Sequence, residues 1–321
     1  MNQLALTSWL DLLEREYLDS FLKEGGGAIK FALVDDEPAA ARVADDVARR
    51  AAAKGFVTAG VDAAATRLHM LQDIFFAIAR QLPWERLVDG FLQRLYQERG
   101  FQTSEQNLGV GAVAAASGVE LNLLRQELRA ALTEKLVKRG DVLAKDFRWA
   151  MFGLAATRAE LLPERDLTSV IEWLQGDLRL VSAVKDFHLF RKIARHNARG
   201  MLASLGGWLR MAGLPGLVVQ LDLQRLAVAR RTEVPEGSIY YTRLALMDCF
   251  EVLRQLIDDT EDLSGMLIVA IAHRSLLDPD NRRGVRIYRA LEERIWPDVT
   301  IKGNPNPLSS LVSLTTDRVT P

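Results

Sequence analysis

The sequence predicts an α/β protein with a parallel sheet and a large all-helical insertion between the second and third strands. Three observations indicate this fold. A strand, a helix and a second strand follow one another before residue 62, which is the pattern of a βαβ unit. Residues 64–210 then show almost only helical periodicity. Apolar, strand-like runs return at Leu217–Leu221 and at Met266–Ala272.

Composition excludes several classes of protein. Of the 321 residues, 49% are hydrophobic and 26% are charged, so the chain can bury a sizeable core and is neither disordered nor collagen-like. The longest apolar run, Met266–Ala272, is far shorter than the roughly 20 residues that cross a bilayer. The first residues lack the basic start and apolar core of a secretory signal. A net charge of −1 argues against a polybasic nucleic-acid binder.

The single cysteine bears on the compartment of the protein. Cys249 has no second cysteine with which to form an intrachain disulfide or a multi-cysteine zinc site. It also lies in an apolar helical stretch, which favours a buried, inert thiol over a nucleophile. We therefore expect a cytoplasmic protein without membrane contact.

The first predicted helix has apolar residues at intervals of four, with Ser8 as its N-cap. The residues on that face are Trp9, Leu13, Tyr17 and Phe21. The glycines at 25–27 end this helix.

The βαβ unit follows directly. Its strands are predicted at Ala28–Val34 and Phe56–Val61, with a helix over Pro38–Lys54 between them. Proline suits the first turn of a helix, and Gly55 suits the position after its last residue.

Apolar periodicity predicts a series of helices in the middle of the chain. Two stripes come first: Leu68, Leu71, Phe75, Ile78 and Leu82, then Leu87, Phe91 and Leu95. Further helices are predicted at Leu121–Val137, Asp146–Leu161, Leu167–Leu180 and Phe187–Met211. The glycine and serine residues within 103–118 predict a surface loop between these helices.

Helices and strands alternate again after the insertion. A long helix is predicted over Thr242–Ile257 and a shorter one over Arg286–Ile295. Val299–Ile301 is a candidate for a short last strand, and the tail from Gly303, rich in Pro, Asn and Ser, is expected to be poorly ordered. The predicted division is residues 1–62 and 215–302 for the sheet domain, 63–214 for the insertion and 303–321 for the tail.

The first candidate site is the turn after the first predicted strand, because ligands of parallel sheets bind where strands end and helices begin. A phosphate-binding loop at this place reads G-x-x-x-x-G-K-[ST]. In this sequence Val34 stands at the first glycine, Ala39 at the second, Ala40 at the lysine and Ala41 at the hydroxyl residue.

Acidic residues occupy the same turn. The carboxylates of Asp35, Asp36 and Glu37 can bind the free amides of the helix and complement its dipole, worth about 0.3–1 kcal/mol each. Two like unit charges about 4 Å apart repel by roughly 4 kcal/mol at an effective dielectric constant near 20, which exceeds that attraction. We expect the three carboxylates to fill the anion site. Retained nucleotide binding at this turn is the alternative.

The second candidate site is the end of the strand at Leu217–Leu221. A Walker B strand continues with an aspartate for the metal and then usually a glutamate that activates water. Here Asp222 is present, but Leu223 stands at the glutamate position and has no group that orients or deprotonates water. The alternative role for Asp222 is to cap the next turn.

Short segments in the same order along the chain resemble one family. The segments are Glu16-Tyr17-Leu18, Phe21-Leu22, Gly25–Phe31, Gly55-Phe56-Val57 with Val61-Asp62, Gly213–Val219 with Asp222, Glu251–Thr260, and Arg283-Gly284 with Tyr288–Ile295. They resemble the BREX-system ATP-binding proteins of the BrxD-like group. The resemblance runs from about residue 9 to 300 and is weakest in the middle.

The resemblance implies an AAA-like P-loop ATPase fold with a helical insertion, ATP and Mg as ligands, and a role in bacterial defence against phage. It implies other defence-system proteins as partners, among them an Lhr-like helicase. This sequence lacks the P-loop glycines, lysine and threonine and the Walker B glutamate, so we expect no cofactor. Arg294 matches the position of an arginine that acts on a neighbouring subunit, or it is an ordinary solvated helix residue.

A basic segment lies before the third strand. Arg191, Lys192, Arg195 and Arg199 fall within the helix predicted over Phe187–Met211, and the arginines are four residues apart on one face. Such a face contacts nucleic acid or an acidic partner, or forms ordinary surface ion pairs. The four histidines show no metal-ligand spacing, and the acidic cluster Asp258–Asp262 is best explained as a solvated loop. His273 follows a strand where ATPases keep a polar sensor.

Three functions follow from these observations. We favour a non-catalytic P-loop-fold subunit that acts as a scaffold or regulator in a defence complex, in a homo- or hetero-oligomer. The first alternative is an ATPase with a non-standard site, in which Lys30 or Arg42 replaces the missing lysine and Arg294 acts in trans. The second is a nucleic-acid-binding adaptor that uses the basic segment, with affinity that falls steeply as salt rises.

Overall fold

One of the two units of the chain contains a six-stranded sheet that is parallel throughout. The computed structural model describes residues 3–103, 107–138, 143–162, 167–296 and 308–315. The strands are β1 (Leu4–Ala5), β2 (Ala28–Val34), β3 (Val57–Asp62), β4 (Leu217–Asp222), β5 (Met266–His273) and β6 (Leu311–Thr315). Their order across the sheet is β1-β6-β2-β5-β4-β3. The predicted α/β class with a parallel, P-loop NTPase-like sheet is confirmed.

The chain divides into two units. The sheet unit comprises Met1–Ile78 and Pro215–Pro321, and the helical unit comprises Ala79–Leu214, between β3 and β4. The sequence placed the border of the insertion earlier, at residue 63. Residues after β3 belong to the sheet unit because the buried hydroxyl of Tyr241 donates to Ala63 O (3.0 Å) or Thr66 O (2.6 Å) and accepts from the amide of Leu68 (3.2 Å).

Helices cover the sheet. In the sheet unit they are α1 (Leu6–Leu12), α2 (Glu37–Ala53), α3 (Leu71–Ala79, whose last residue lies in the helical unit), α10 (Arg243–Asp258) and α11 (Arg289–Ile295). All seven residues of β2 are buried, as expected for a central strand with both faces covered. The buried face of α2 repeats every three or four residues, at Ala39, Ala40, Val43, Val47 and Ala51.

The helical unit contains six α-helices in its described residues. They are α4 (Trp84–Glu98), α5 (Val110–Ser117), α6 (Leu121–Leu132), α7 (Lys145–Arg158), α8 (Thr168–Gln175) and α9 (Arg195–Met211). Aromatic pairs join them, with ring centroids 6.3 Å apart for Trp84–Phe147 and 5.0 Å apart for Phe91–Trp208. Gly90 permits the close approach of α4 to the end of α9, since a Cβ there would lie 2.7 Å from Ala212 O.

The predicted start of the first helix and the predicted loop at 103–118 are wrong. The first helix begins at Leu6 after Ala5, not after Ser8, because Leu6 is itself a core residue with 2% exposure. This helix continues with wider, π-type turns over Leu13–Phe21. Within the predicted loop 103–118, helix α5 forms because Val110 and Val113 are buried, and it ends at Gly118 in the left-handed conformation (φ 65°).

The helix predicted over Phe187–Met211 is wrong in its first eight residues. The segment Val181–Phe187 is a 3₁₀ helix that ends at His188 in the left-handed conformation (φ 58°), and α9 begins only at Arg195. The side chain of Asn197 accepts from the amide of Ala194 (2.8 Å) and fixes this start. Arg191 and Lys192 therefore lie outside the helix, and the three arginines do not share a helix face.

The tail predicted to be poorly ordered contributes a strand. β6 lies between β1 and β2, and its residues Leu311, Val312 and Leu314 are 1–4% exposed. The prediction was wrong for these residues, because pairing with β2 outweighs the serine-rich composition. The candidate strand at Val299–Ile301 and the rest of the tail lie outside the described residues.

Candidate functional site

The carboxyl ends of four strands meet at one edge of the sheet. Val34 of β2 is aligned with His273 of β5, and Asp222 of β4 is aligned with Asp62 of β3. Helix α2 starts at the same edge, directly after β2. Anionic ligands of parallel sheets bind at such an edge, where strands end and helices begin.

The connection between β2 and α2 is too short for a phosphate-binding loop. β2 ends at Val34 and α2 begins at Glu37, so two residues join them. Ala39, Ala40 and Ala41, which stand at the second glycine, the lysine and the hydroxyl positions, are already helical. In a phosphate-binding loop the residues before the second glycine wrap around the phosphate. Here Glu37 and Pro38 already belong to α2, so only Asp35 and Asp36 remain outside it and the cradle is absent from this turn.

The chain caps the helix with its own groups. The amide of Ala39 donates to Oδ1 of Asp36 (2.8 Å), and the amide of Ala40 donates to Asp36 O (3.0 Å). Pro38 has no amide hydrogen to offer. The side chain at the lysine position, Ala40, is buried with 1% exposure. An anion at this helix end would have to displace a carboxylate without help from a cation of the turn.

The other two acidic residues of the turn behave differently from expectation. Asp35 does not enter the anion site but pairs with Arg274, with Nε and Oδ1 2.8 Å apart. Glu37 is exposed at the first position of α2. The expectation that all three carboxylates fill the site therefore fails for Asp35, while Asp36 caps the helix.

Arg274 is a residue of this edge that the sequence reasoning missed. It follows β5 directly, and its guanidinium also donates to Leu314 O of β6. The available signal was its place one residue after His273, where a side chain reaches the strand ends. His273 itself turns back locally, because its Nδ1 accepts from the amide of Ser275 (3.1 Å).

Asp222 ends β4 and caps the turn that follows. Its Oδ1 accepts from the amide of Gln224 (2.8 Å). Burial raises the pKa of this carboxyl group, and the negative charges of Asp62 and Glu37 raise it further. Asp62 is likewise bound, through Oδ1, to the amide of Ala64 (2.6 Å). The edge therefore disfavours additional negative charge.

Leu223 points away from the strand ends. Its side chain is 2% exposed, and its amide donates to Ile271 O of β5 (2.8 Å). The position at which a Walker B glutamate would act is thus a core position in this protein. Among the residues that the structure describes, no group of three or more His, Cys, Asp or Glu side chains is placed to hold a metal ion.

The cations considered as substitutes for the missing lysine lie elsewhere. Lys30 is four residues before the end of β2, roughly 13 Å from Val34 along the strand. Its Nζ donates to the carbonyl oxygens of Leu308 (2.6 Å) and Ser309 (3.3 Å), and burial lowers its pKa to about 8. Arg42 is half-buried in the second turn of α2.

Arg294 is bound within its own chain. Its guanidinium pairs with Asp258 at the end of α10 and donates to Ala290 O (3.0 Å). Asp258 also binds Arg254, and these arginines lower the pKa of its carboxyl group, with Arg294 the larger influence. The first residue of the acidic cluster 258–262 is therefore part of a surface ion-pair network.

The remaining singled-out residues belong to other elements of the two units. Cys249 is buried, and burial raises the pKa of its thiol. Arg191 pairs with Asp146 (2.9 Å) in the helical unit, and Lys192, Arg195 and Arg199 are exposed there. In the part of the chain that is described, no helix is both long enough and apolar enough to cross a bilayer.

Comparison with known proteins identifies the family. The family model described as BREX system ATP-binding protein BrxC/D matches residues 42–318. No curated protein and no solved structure matches the chain. The matched segment begins directly after Ala41, so the degenerate turn between β2 and α2 lies outside it. Since the match covers far more than half of the residues, the chain belongs to the BREX system ATP-binding protein BrxC/D family, whose members serve a phage-defence system.

Proposed function

We propose that this protein is a non-catalytic, pseudo-ATPase member of its family and acts as a scaffold or regulator through other defence-system proteins. One observation carries the proposal: only two residues join β2 to α2, and Asp36 caps the start of that helix through the amide of Ala39. The sheet is retained as a rigid support, while the turn that would hold a triphosphate is replaced by a capped helix.

Electrostatics supports the same conclusion. A triphosphate at this edge would approach Asp36, Glu37 and Asp222, and each like-charge pair at about 4 Å would cost roughly 4 kcal/mol at an effective dielectric constant near 20. One cation of this edge, Arg274, is paired with Asp35. Its release for a phosphate would leave the Asp35 carboxylate as an additional negative charge at the same edge.

Calorimetry with ATP and magnesium tests the proposal. We expect no binding heat with ATP in the micromolar range. If heat appears, Asp222→Asn locates the site, with Asp280→Asn, an exposed carboxylate on a loop, as the matched control. Micromolar binding that disappears in Asp222→Asn and persists in Asp280→Asn would contradict the pseudo-ATPase.

The alternative of an ATPase working in trans has less support from the geometry. Lys30 is held by two backbone carbonyls, and Arg294 is held by Asp258. A phosphate-release assay on the protein with and without the other proteins of its defence system separates the two functions. We expect no turnover in either state, and turnover that Arg294→Ala abolishes would establish the alternative.

Membership of the family is the sole basis for the proposed partner. An Lhr-like helicase of the same defence system is the first candidate to test by co-purification. We expect stable co-purification of at least one defence-system protein, and its retention when ATP is omitted. A complex that forms only with ATP would argue for a working nucleotide site.

A further inference from the structure

The helical unit carries an open cavity beside the start of α9. The cavity has a volume of about 510 Å³ and is lined by Lys145, Asp146, Trp149, His188, Phe190 and Arg191. We call this surface, together with the neighbouring side chains of Lys192 and Arg195, the aromatic–basic face. None of these residues belongs to the strand edge described above.

The fold fixes the loop that forms this face. Phe187, Leu189 and Ile193 are buried, with exposures of 0–5%, while the residues between them are exposed. Phe187 packs against α7 at Gly153, where a Cβ would lie 2.4 Å from the ring. The indole Nε1 of Trp173 donates to Arg191 O (2.8 Å) and holds the loop from the other side. The outward direction of His188 and Phe190 therefore follows from core packing.

Three flat rings are displayed in succession. The ring centroids of Trp149 and His188 are 4.4 Å apart, and those of His188 and Phe190 are 6.4 Å apart. Phe190 is 67% exposed, which is unusual for a large aromatic side chain on a well-packed loop. His188, in the left-handed conformation (φ 58°), and Phe190 are both exposed residues of this loop.

The charges around the rings are mostly positive. Residues 185–199 contain five Lys or Arg and one Asp, in a chain whose net charge is −1. The one carboxylate that lines the cavity, Asp146, is neutralised by Arg191 (2.9 Å). Across the described parts of the chain, Lys145, Lys192 and Arg195 form no ion pair, so their charges remain available to a ligand.

We propose that the aromatic–basic face binds single-stranded nucleic acid. Bases stack on the faces of Phe190 and His188, and Lys145, Lys192 and Arg195 contact the phosphates, which is the combination that binds single strands without sequence preference. An acidic peptide would use the cations but has no need of flat ring faces, so nucleic acid fits more of the site. The proposal is independent of the nucleotide question at the strand edge.

Fluorescence anisotropy with a labelled 12-nucleotide oligothymidine tests the binding in the absence of ATP. For three phosphate contacts on a single strand, log affinity is expected to fall against log salt concentration with a slope of about −2. The double variant Lys192→Ala/Arg195→Ala should reduce this slope by about 1.4. Arg125→Ala, an exposed arginine on α6, is the matched control and should leave the slope unchanged.

Substitutions of Phe190 test the stacking. Phe190→Leu keeps an apolar side chain but removes the flat face, and it should weaken binding by about 5- to 150-fold. Phe190→Trp restores a flat face and should bind at least as tightly as the wild type. Leu123→Ala, at a 52% exposed apolar position on α6, is the control and should bind as the wild type does.

Three results would overturn the proposal. The first is the absence of binding at 20 mM salt. The second is binding that Phe190→Leu and the double lysine–arginine variant leave unchanged. The third combines two observations: a poly-glutamate peptide displaces the oligonucleotide at equal charge concentration, and Phe190→Leu binds the oligonucleotide as tightly as the wild type. Together they would identify an acidic protein surface as the ligand.

Discussion

At the scale of single residues, two side chains of the sheet unit have roles that follow from their hydrogen bonds. Asp36 accepts a hydrogen bond from the amide of Ala39 and caps the start of α2. Lys30 is a buried cation in the middle of β2, satisfied by two carbonyl oxygens and by the ring of Tyr17, whose centroid lies 4.5 Å from Nζ. The role of each side chain can be tested by single substitutions.

Replacement of Asp36 should reveal its capping role. Asp36→Ala removes the side-chain acceptor and is expected to lower the free energy of unfolding by about 1 kcal/mol, within a range of roughly 0.5–2. Asp36→Ser keeps an acceptor and should cost less. Urea denaturation measures both, with Glu37→Gln, which removes an exposed charge from the same helix end, as the control for loss of charge. An equal loss in Asp36→Ala and Asp36→Ser would show that capping is not the role of this side chain.

The buried lysine predicts a dependence of stability on pH. Burial lowers the pKa of Lys30 to about 8, whereas the unfolded chain has the ordinary value near 10.5. Between these values the unfolded state binds more protons than the folded state, so the contribution of Lys30 to stability rises with pH, by at most about 1.4 kcal/mol per pH unit. Below pH 8 both states are protonated and the contribution is constant.

The measurement is the difference in unfolding free energy between the wild type and Lys30→Met at pH 7, 8, 9 and 10. The wild type should gain relative to the variant above pH 8. Lys23→Met, at an exposed lysine, should show no such trend. A flat difference over the whole range would mean that the native pKa of Lys30 is not lowered.

At the scale of secondary-structure elements, the accuracy of sequence reasoning follows the length of each apolar pattern. β2, β4 and β5 have long apolar runs and lie within one residue of their predicted bounds, and α2 is equally well predicted because Pro38 and Gly55 mark its ends. β1 and β6 escaped prediction because their apolar runs are short and their stability comes from pairing with strands distant in sequence.

The features of the candidate site were likewise only partly predictable from the sequence. The missing lysine and glutamate were readable from the sequence, because they are defined by residue type. The short connection was predicted to within one residue, since the strand was predicted to end at Val34 and the helix to begin at Pro38. Arg274 was missed because its contact with Asp35 joins residues far apart in the chain. The loop at 188–194 was read as helix because packing of Phe187 and Leu189 is not encoded in a short window.

Strand β6 should be essential to the sheet. Leu314→Ala removes a side chain that is 1% exposed, and we expect a loss of 2–5 kcal/mol in the free energy of unfolding. Leu308→Ala, at a 44% exposed position just before the strand, should cost well under 1 kcal/mol. Chemical denaturation of both variants decides this. Equal, small losses would show that β6 is not part of the stable core.

At the scale of the whole molecule, the two units have separate sets of core residues. The sheet unit buries Trp9 and Phe31, and the helical unit buries Trp84, Trp173 and Trp208 with exposures of 0–3%. An insertion of this size between β3 and β4 is expected to form its own hydrophobic core. The proposed functions divide in the same way, since the capped strand edge belongs to one unit and the aromatic–basic face to the other.

The helical unit should therefore fold alone. Residues 79–214, expressed as a separate chain, are expected to give a helical circular dichroism spectrum and a cooperative thermal transition. Tryptophan emission should be blue-shifted, because three of the four indoles in this segment stay buried. Trp84→Phe should keep the transition and shift the emission. A spectrum of an unfolded chain, or melting without cooperativity, would show that this segment depends on the rest of the protein.

The position of β6 also constrains how the protein can be made. Because β6 lies between β1 and β2, the first strand has no neighbour until residues near 315 have left the ribosome. At a synthesis rate of 5–20 residues per second, β1 stays unpaired for about 15–60 s after β2 has been synthesised. Both edges of β2 are unpaired until β5 has been synthesised, and the edge that pairs with β6 stays unpaired after that. The nascent chain therefore passes through a stage at which it can pair with other chains and which a chaperone is suited to shield.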